Sequence, residues 1–124
     1  MKTDMNHGDG EKHEYSVGEI CSLTGVTRKT LFYYDRTGLL KPAYRHGSQE
    51  HKRYGNTEFQ RLIRILDYRE AGLSIGEIRK ILDDPDCSRK DLFAKVLDRL
   101  IKEKAEKEKQ ILKVKEYIRS FDMP

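Results

Sequence analysis

The stretch Thr27-Arg28-Lys29-Thr30-Leu31-Phe32-Tyr33-Tyr34-Asp35 sets two cations before three adjacent aromatics. Neighbouring side chains on a helix point about 100° apart, so three consecutive rings cannot all enter one core. Thr27 is a plausible N-cap, and Gly38 suits the left-handed position that closes a helix running through Thr37. Leu31 and Tyr34 are three apart and share the inner side with Thr27. Arg28, Lys29, Phe32, Tyr33 and Arg36 then fall on the outer one.

The sequence before this helix supplies a partner for it. Ser16-Val17-Gly18-Glu19 has the Ser-x-x-Glu form of a capping box, followed by Ile20, Cys21 and Thr24 at helical spacing and a stop at Gly25. Ile20, the small Cys21, Val26, Leu31 and Tyr34 are the expected inward set. Beyond the second helix, Leu39-Leu40-Lys41-Pro42 reads as a brief extended segment, because Pro42 disfavours helix in the residue before it. Arg45 to Lys52 is polar around Gly47 and Ser48, and Arg53-Tyr54 returns to strand-like residues, so a small hairpin or wing is predicted. A third helix, capped by Asn56 or Thr57, carries the stripe Phe59, Leu62, Ile63 and Leu66 and ends near Gly72. Ser74-Ile75-Gly76-Glu77 opens a fourth helix, with Ile75, Ile78 and Leu82 along one side. From Ser88 a long helix, roughly 50 Å at about 1.5 Å per residue, continues to about Phe121 without Gly or Pro.

Two helices joined by a tight glycine turn, the second basic and followed by a wing, describe a mostly α winged helix-turn-helix. Charge agrees. Segment 27–53 holds Arg28, Lys29, Arg36, Lys41, Arg45, Lys52 and Arg53 against Asp35 and Glu50, while the 124-residue chain has a net charge of only +4. A polyanion is the natural partner of such a patch. The major groove of double-stranded DNA admits a helix; Arg28 or Lys29 would reach base edges, and the Tyr33 hydroxyl and Arg36 phosphates. The bland alternative is that the rings pack under neighbouring elements and the cations are merely solvated.

Domain organisation is expected as a polar tail over 1–14, the winged domain over 15–83, and a linker with a long helix over 84–124. Phe93, Val96 or Leu97, Leu100, Ile111, Val114, Ile118 and Phe121 recur along that helix at three-four spacing around a Lys/Glu-rich centre. An apolar stripe with no remaining segment to cover it predicts a homodimer. A coiled-coil protein-interaction module is the alternative of a different class.

Several classes are disfavoured. With 37% charged residues the chain has room for one modest core. It has no apolar run of membrane-span length and no signal-peptide centre, so no membrane association and a cytoplasmic location are expected. No phosphate loop, nucleophile-base pair or supported carboxylate dyad suggests an enzyme, and no cofactor is expected. Cys21 and Cys87 form no CxxC pair. Cys21 is expected buried and inert, whereas Cys87, just before the long helix, is an effector or redox candidate with no second soft ligand after it. His7 and His13 read as a solvated tail, and His46 and His51 as exposed or DNA-proximal wing residues.

The run from Tyr15 to Thr27, then Thr30 to Pro42, His51-Lys52-Arg53-Tyr54 and Ala71-Gly72-Leu73-Ser74-Ile75-Gly76-Glu77-Ile78 resembles the N-terminal domain of the MerR family of transcriptional regulators. The resemblance implies an antiparallel coiled-coil homodimer on a near-palindromic operator. It further implies promoter distortion that lets RNA polymerase engage. By position it assigns recognition-helix contacts to Arg28, Lys29 and Tyr33 and wing contacts to Lys52 and Arg53; Thr27, Phe32 and Arg36 complete the expected DNA-binding set. Where the family usually has Arg before the Tyr pair, this chain has Phe32, which leaves thymine-methyl or sugar packing in place of a polar contact. A constitutive repressor or architectural protein without effector is the variant reading.

Overall fold

The computed structural model describes residues 14–46 and 51–123, so the tail expectation for 1–13, with His7 and His13, and the wing centre around Gly47 and Ser48 lie outside the described residues. The elements are β1 (Glu14–Ser16), α1 (Val17–Thr24), α2 (Arg28–Thr37), β2 (Tyr44–His46), β3 (His51–Gly55), α3 (Asn56–Glu70), α4 (Ile75–Asp83) and α5 (Arg89–Ser120). They form two compact units that divide at Ala71 and Gly72. The boundary expected after residue 83 follows the order of motifs, whereas compactness groups α4 with α5.

In the first unit, local chemistry sets the helix ends. The Ser16 hydroxyl accepts the Glu19 amide at 3.1 Å while the Glu19 carboxylate accepts the Ser16 amide at 2.9 Å, closing the capping box of α1. Gly25 ends α1 with φ of 81°, its amide donating to the Cys21 carbonyl at 2.9 Å, and Gly38 ends α2 with φ of 82°. Both sit in the left-handed region, where a Cβ is strained. Val17, Ile20, Val26, Leu31 and Tyr34 are buried, as the helical spacing predicts.

The sheet has three strands in the order β1-β3-β2, both pairs antiparallel, with Tyr15 opposite Tyr54 and Tyr44 opposite Arg53. The hairpin was legible as a wing; β1 was not, since three residues carry no periodicity. Glu14, grouped with the tail on composition, begins that strand. Tyr15 stacks on Phe59 with centroids 4.8 Å apart, which seats β1 against α3.

Several inward assignments shift. Leu39 and Leu40 form no strand; the Leu40 amide returns to the Tyr34 carbonyl at 3.1 Å and both side chains are buried. Arg61 Nε donates to the Leu39 carbonyl at 2.8 Å and ties this bend to α3. Gly55, not Asn56 or Thr57, is the N-cap of α3, because the Glu58 carboxylate accepts the Gly55 amide at 2.9 Å. On α3, Phe59, Leu62 and Ile65 point inward and Ile63 is exposed. Cys21 is half-buried rather than enclosed.

In the second unit, Ser74 and Glu77 form another capping box. Ile78 and Ile81 are buried, whereas Ile75 and Leu82, expected on the inner side, are only half-buried. The Ser88 hydroxyl accepts the Asp91 amide at 3.3 Å and starts α5, whose 32 residues extend about 48 Å. Arg99 joins the two helices. It donates to the Glu77 carboxylate at 2.7 and 3.1 Å and to the Gly72 carbonyl at 2.9 Å.

Those bonds from Arg99, with help from the Ser74 amide, hold the Glu77 carboxyl at about 2 against its ordinary 4.5. A carboxyl depressed in the folded state contributes stability that is fully present above about pH 4.5 and is lost as pH falls toward 2. With partial solvent screening this is worth about 1–2 kcal/mol. Thermal unfolding across pH 2 to 7 should therefore show Glu77→Gln destabilised at neutral pH, with the gap to the parent closing in acid.

Candidate nucleic-acid interface

The outer face of α2 is built by capping and by charge placement. Thr27 caps the helix, its hydroxyl accepting the Thr30 amide at 3.1 Å and donating to the Thr30 hydroxyl at 3.0 Å. That hydroxyl is engaged at the helix start, so Thr27 fixes where α2 begins. Arg28, Lys29, Phe32, Tyr33 and Arg36 are all exposed on the helix that follows. Phe32 and Tyr33 are 37% and 42% exposed, while Tyr34 is 4% exposed, which separates the three rings as their angular spacing requires.

Contacts order this face. The Arg36 guanidinium lies 5.5 Å from the Tyr33 ring centroid, and Tyr33 meets Tyr34 tilted at 6.2 Å. Arg28 lies across the start of α1, where a Cβ on Gly18 would sit 3.4 Å from its guanidinium. Lys29, Thr30, Phe32, Tyr33 and Arg36 line a shallow hollow of about 530 Å³. Burial raises the Tyr34 phenol above its usual value, although the neighbouring Arg69 guanidinium opposes that rise. Tyr34 thus stays neutral beneath the cationic face.

Lys52 corrects an expectation. A wing lysine was expected to reach toward DNA, but Lys52 is 9% exposed and its ammonium lies 2.9 Å from the Asp35 carboxylate. The same ammonium sits 4.2 Å from the Phe32 ring centroid. Asp35 is itself buried, and a buried carboxylate demands a nearby cation, so the charge of Lys52 is committed inward. One side chain of β3 thereby joins the wing to α2 and supports Phe32. Sequence reasoning saw a cation in a basic segment; the only hint of this pair was Asp35, the lone acid on α2.

Arg53 is also less free than a wing contact would be. It is half-buried, with Nε 3.4 Å from Glu14, and the Tyr44 hydroxyl donates to the same carboxylate. That bond raises the Tyr44 phenol above its ordinary value. Glu14 was not among the expected site residues. Cys87 is half-buried ahead of α5, its amide donating to the Asp84 carbonyl at 3.2 Å. Among the described residues, no three His, Cys, Asp or Glu side chains gather to hold a metal ion, and no helix is long and apolar enough to cross a membrane.

A capped basic helix after a tight turn, with an antiparallel wing beside it, defines the class of winged helix-turn-helix DNA-binding domains. The sequence profile of MerR HTH family regulatory proteins matches residues 15–84, and the chain belongs to that family of DNA-binding transcription regulators. The HTH-type transcriptional activator TipA of Streptomyces coelicolor is 45% identical over 71 residues, covering 57% of this chain and 28% of TipA. The activator mta of Bacillus subtilis is 28% identical over 109 residues, covering 88% of this chain and 42% of mta. The chain therefore spans between a quarter and a half of the length of these curated relatives.

Among solved structures, the N-terminus of the Bacillus subtilis multidrug transporter activator, MtaN, superposes with a TM-score of 0.71 at 28% identity, over 84% of this chain and 97% of MtaN. EcmrR, solved in a DNA complex, shares the fold with a TM-score of 0.75 at 23% identity, over 85% of this chain and 38% of EcmrR.

Removing Lys52 takes from the buried Asp35 carboxylate the ammonium that faces it. Lys52→Met should cost about 3 kcal/mol in urea unfolding, and adding Asp35→Asn to it should recover a large part of that loss.

Proposed function

We propose that this chain is a homodimeric, sequence-specific regulator of transcription that places α2 in the major groove of double-stranded DNA. The observation that carries this reading is the outer face of α2, where Arg28, Lys29, Phe32, Tyr33 and Arg36 are exposed together. Arg28 and Lys29, near the helix start, read base edges or phosphates. Arg36 and the Tyr33 hydroxyl hold the backbone. Phe32 presents an apolar ring suited to a thymine methyl group. Arg53 approaches phosphate from the wing, while Thr27 and Lys52 act through α2 by fixing its start and its support.

The exposed apolar stripe of α5 supports a coiled-coil homodimer. Two such domains match a near-palindromic operator, in keeping with family membership. Naming of relatives as transcriptional activators supports a role at promoters, with DNA distortion and RNA polymerase as the partners of that role. A cytoplasmic location and the absence of catalytic activity follow from the same reading.

Selection of bound duplexes from a random pool tests it: a palindromic consensus is expected, and recovery of none at moderate salt would leave the coiled-coil interaction module as the better account. On the selected duplex, Lys29→Ala should weaken binding and reduce the slope of log affinity against log salt by about 1.8, the loss of one phosphate contact from each chain of the dimer. Lys52→Met should leave that slope unchanged. Phe32→Ala should relax preference at one thymine in each half-site by about 1 kcal/mol without altering the slope.

A further inference from the structure

The exposed stripe of α5 follows a strict heptad. Phe93, Leu97, Leu100, Lys104, Lys107, Ile111, Val114, Ile118 and Phe121 alternate at four and three residues along a helix that ends at Ser120 in regular form. Leu97, Ile111 and Ile118 are 59%, 52% and 60% exposed, so at these positions the described residues leave the seam open. Leu100 is partly covered by Gly72, where a Cβ would meet it at 3.3 Å. The centre of the seam is polar. Lys104 and Lys107 occupy two core positions that an apolar residue would fill in an uninterrupted coil.

We infer that these two lysines set the register of the antiparallel helix pair, placing its two-fold axis between Ala105 and Glu106. The occupant of the seam is a second copy of α5, so the inference rests on the homodimer proposed above and specifies its geometry. In an antiparallel pair each core position faces the alternate core position of its partner. With the axis between residues 105 and 106, Phe93 faces Ile118, Leu97 faces Val114 and Leu100 faces Ile111, each pair occurring twice. Lys104 faces Lys107 in the middle. The lysine stems bury along the seam while their ammonium groups turn out toward Glu108 and Glu103, four residues away on the same helix.

Competing arrangements are worse on the same residues. Sliding the pair by half a heptad per chain, to an axis at Lys109, sets Lys104 against Val114 and Lys107 against Ile111, which buries four lysine stems against apolar partners. A parallel pair sets Glu103 beside Glu108 of its partner on both flanks of the seam, whereas the antiparallel pair sets Glu103 beside Gln110. Like charges at flanking positions disfavour the parallel form. The central lysines thus lower the stability of the coil and exclude its alternatives.

Spin labels read the axis position directly. With Cys21 and Cys87 replaced by Ser, nitroxides at Lys102→Cys or Glu116→Cys sit on the outer side of the coil. Their axial separations in the dimer are about 10 Å and about 31 Å for an axis between 105 and 106 at 1.5 Å per residue. A clearly longer dipolar distance at 116 than at 102 is expected. Equal distances at the two sites would overturn the register and leave the dimer standing; no dipolar coupling at either site would overturn the dimer itself. In a Lys104→Leu/Lys107→Leu background the two antiparallel registers become equally apolar. The melting temperature should rise and the distance distribution at 116 should split in two, while a single unchanged distance would show that the lysines do not select the register.

Discussion

The buried pair of Asp35 and Lys52 is the constraint around which the candidate interface is organised. The two side chains meet at 2.9 Å with little solvent access, and they belong to α2 and β3 respectively. A salt bridge in that position adds little net stability, because desolvation offsets most of the attraction. Its value lies in direction. An ammonium group that must stay within reach of one carboxylate fixes how the wing sits against the recognition helix, and the same group lies over Phe32. The outward face of α2 therefore inherits its shape from a contact on its inner and lateral side.

Around that contact the cations divide by role. Arg28, Lys29 and Arg36 are exposed, Arg53 is shared with Glu14, and Lys52 is committed inward. The basic segment thus contributes fewer free charges to a polyanion than its composition counts. What remains is concentrated on one helix, beside two exposed rings, which is the combination of charge and apolar surface that the proposed groove contact uses. Long α5 plays a different part. Its apolar seam is interrupted by Lys104 and Lys107, the feature on which the register proposed for a helix pair rests.

Helix boundaries were legible because the groups that end a helix are neighbours in the chain. Ser16 with Glu19, Ser74 with Glu77, Thr27, Gly25 and Gly38 all act within a turn of their own position, and each lies where local capping rules put it. The inward side of α2 was legible for the same reason, since angular spacing alone separates Leu31 and Tyr34 from Phe32 and Tyr33, whereas Cys21 and Thr27, read as inward too, are half-buried and exposed. Less was legible for α3 and α4. Two adjacent apolar residues, Leu62 and Ile63 or Ile81 and Leu82, fit a helical stripe equally well until a neighbour chooses between them.

By itself, then, the sequence determined the order of the elements, the capped ends of the helices, the aromatic division on α2 and the heptad of α5, all consequences of local stereochemistry and periodicity. Tertiary structure alone decided that Glu14 to Ser16 would become a third strand, that Ile65 and Ile81 would face inward, and that Lys52 would turn to Asp35 instead of outward. The physical reason is common to all three. A strand needs a partner edge, a stripe needs an opposing surface and a buried carboxylate needs a cation, and each of these is supplied by residues distant in the chain.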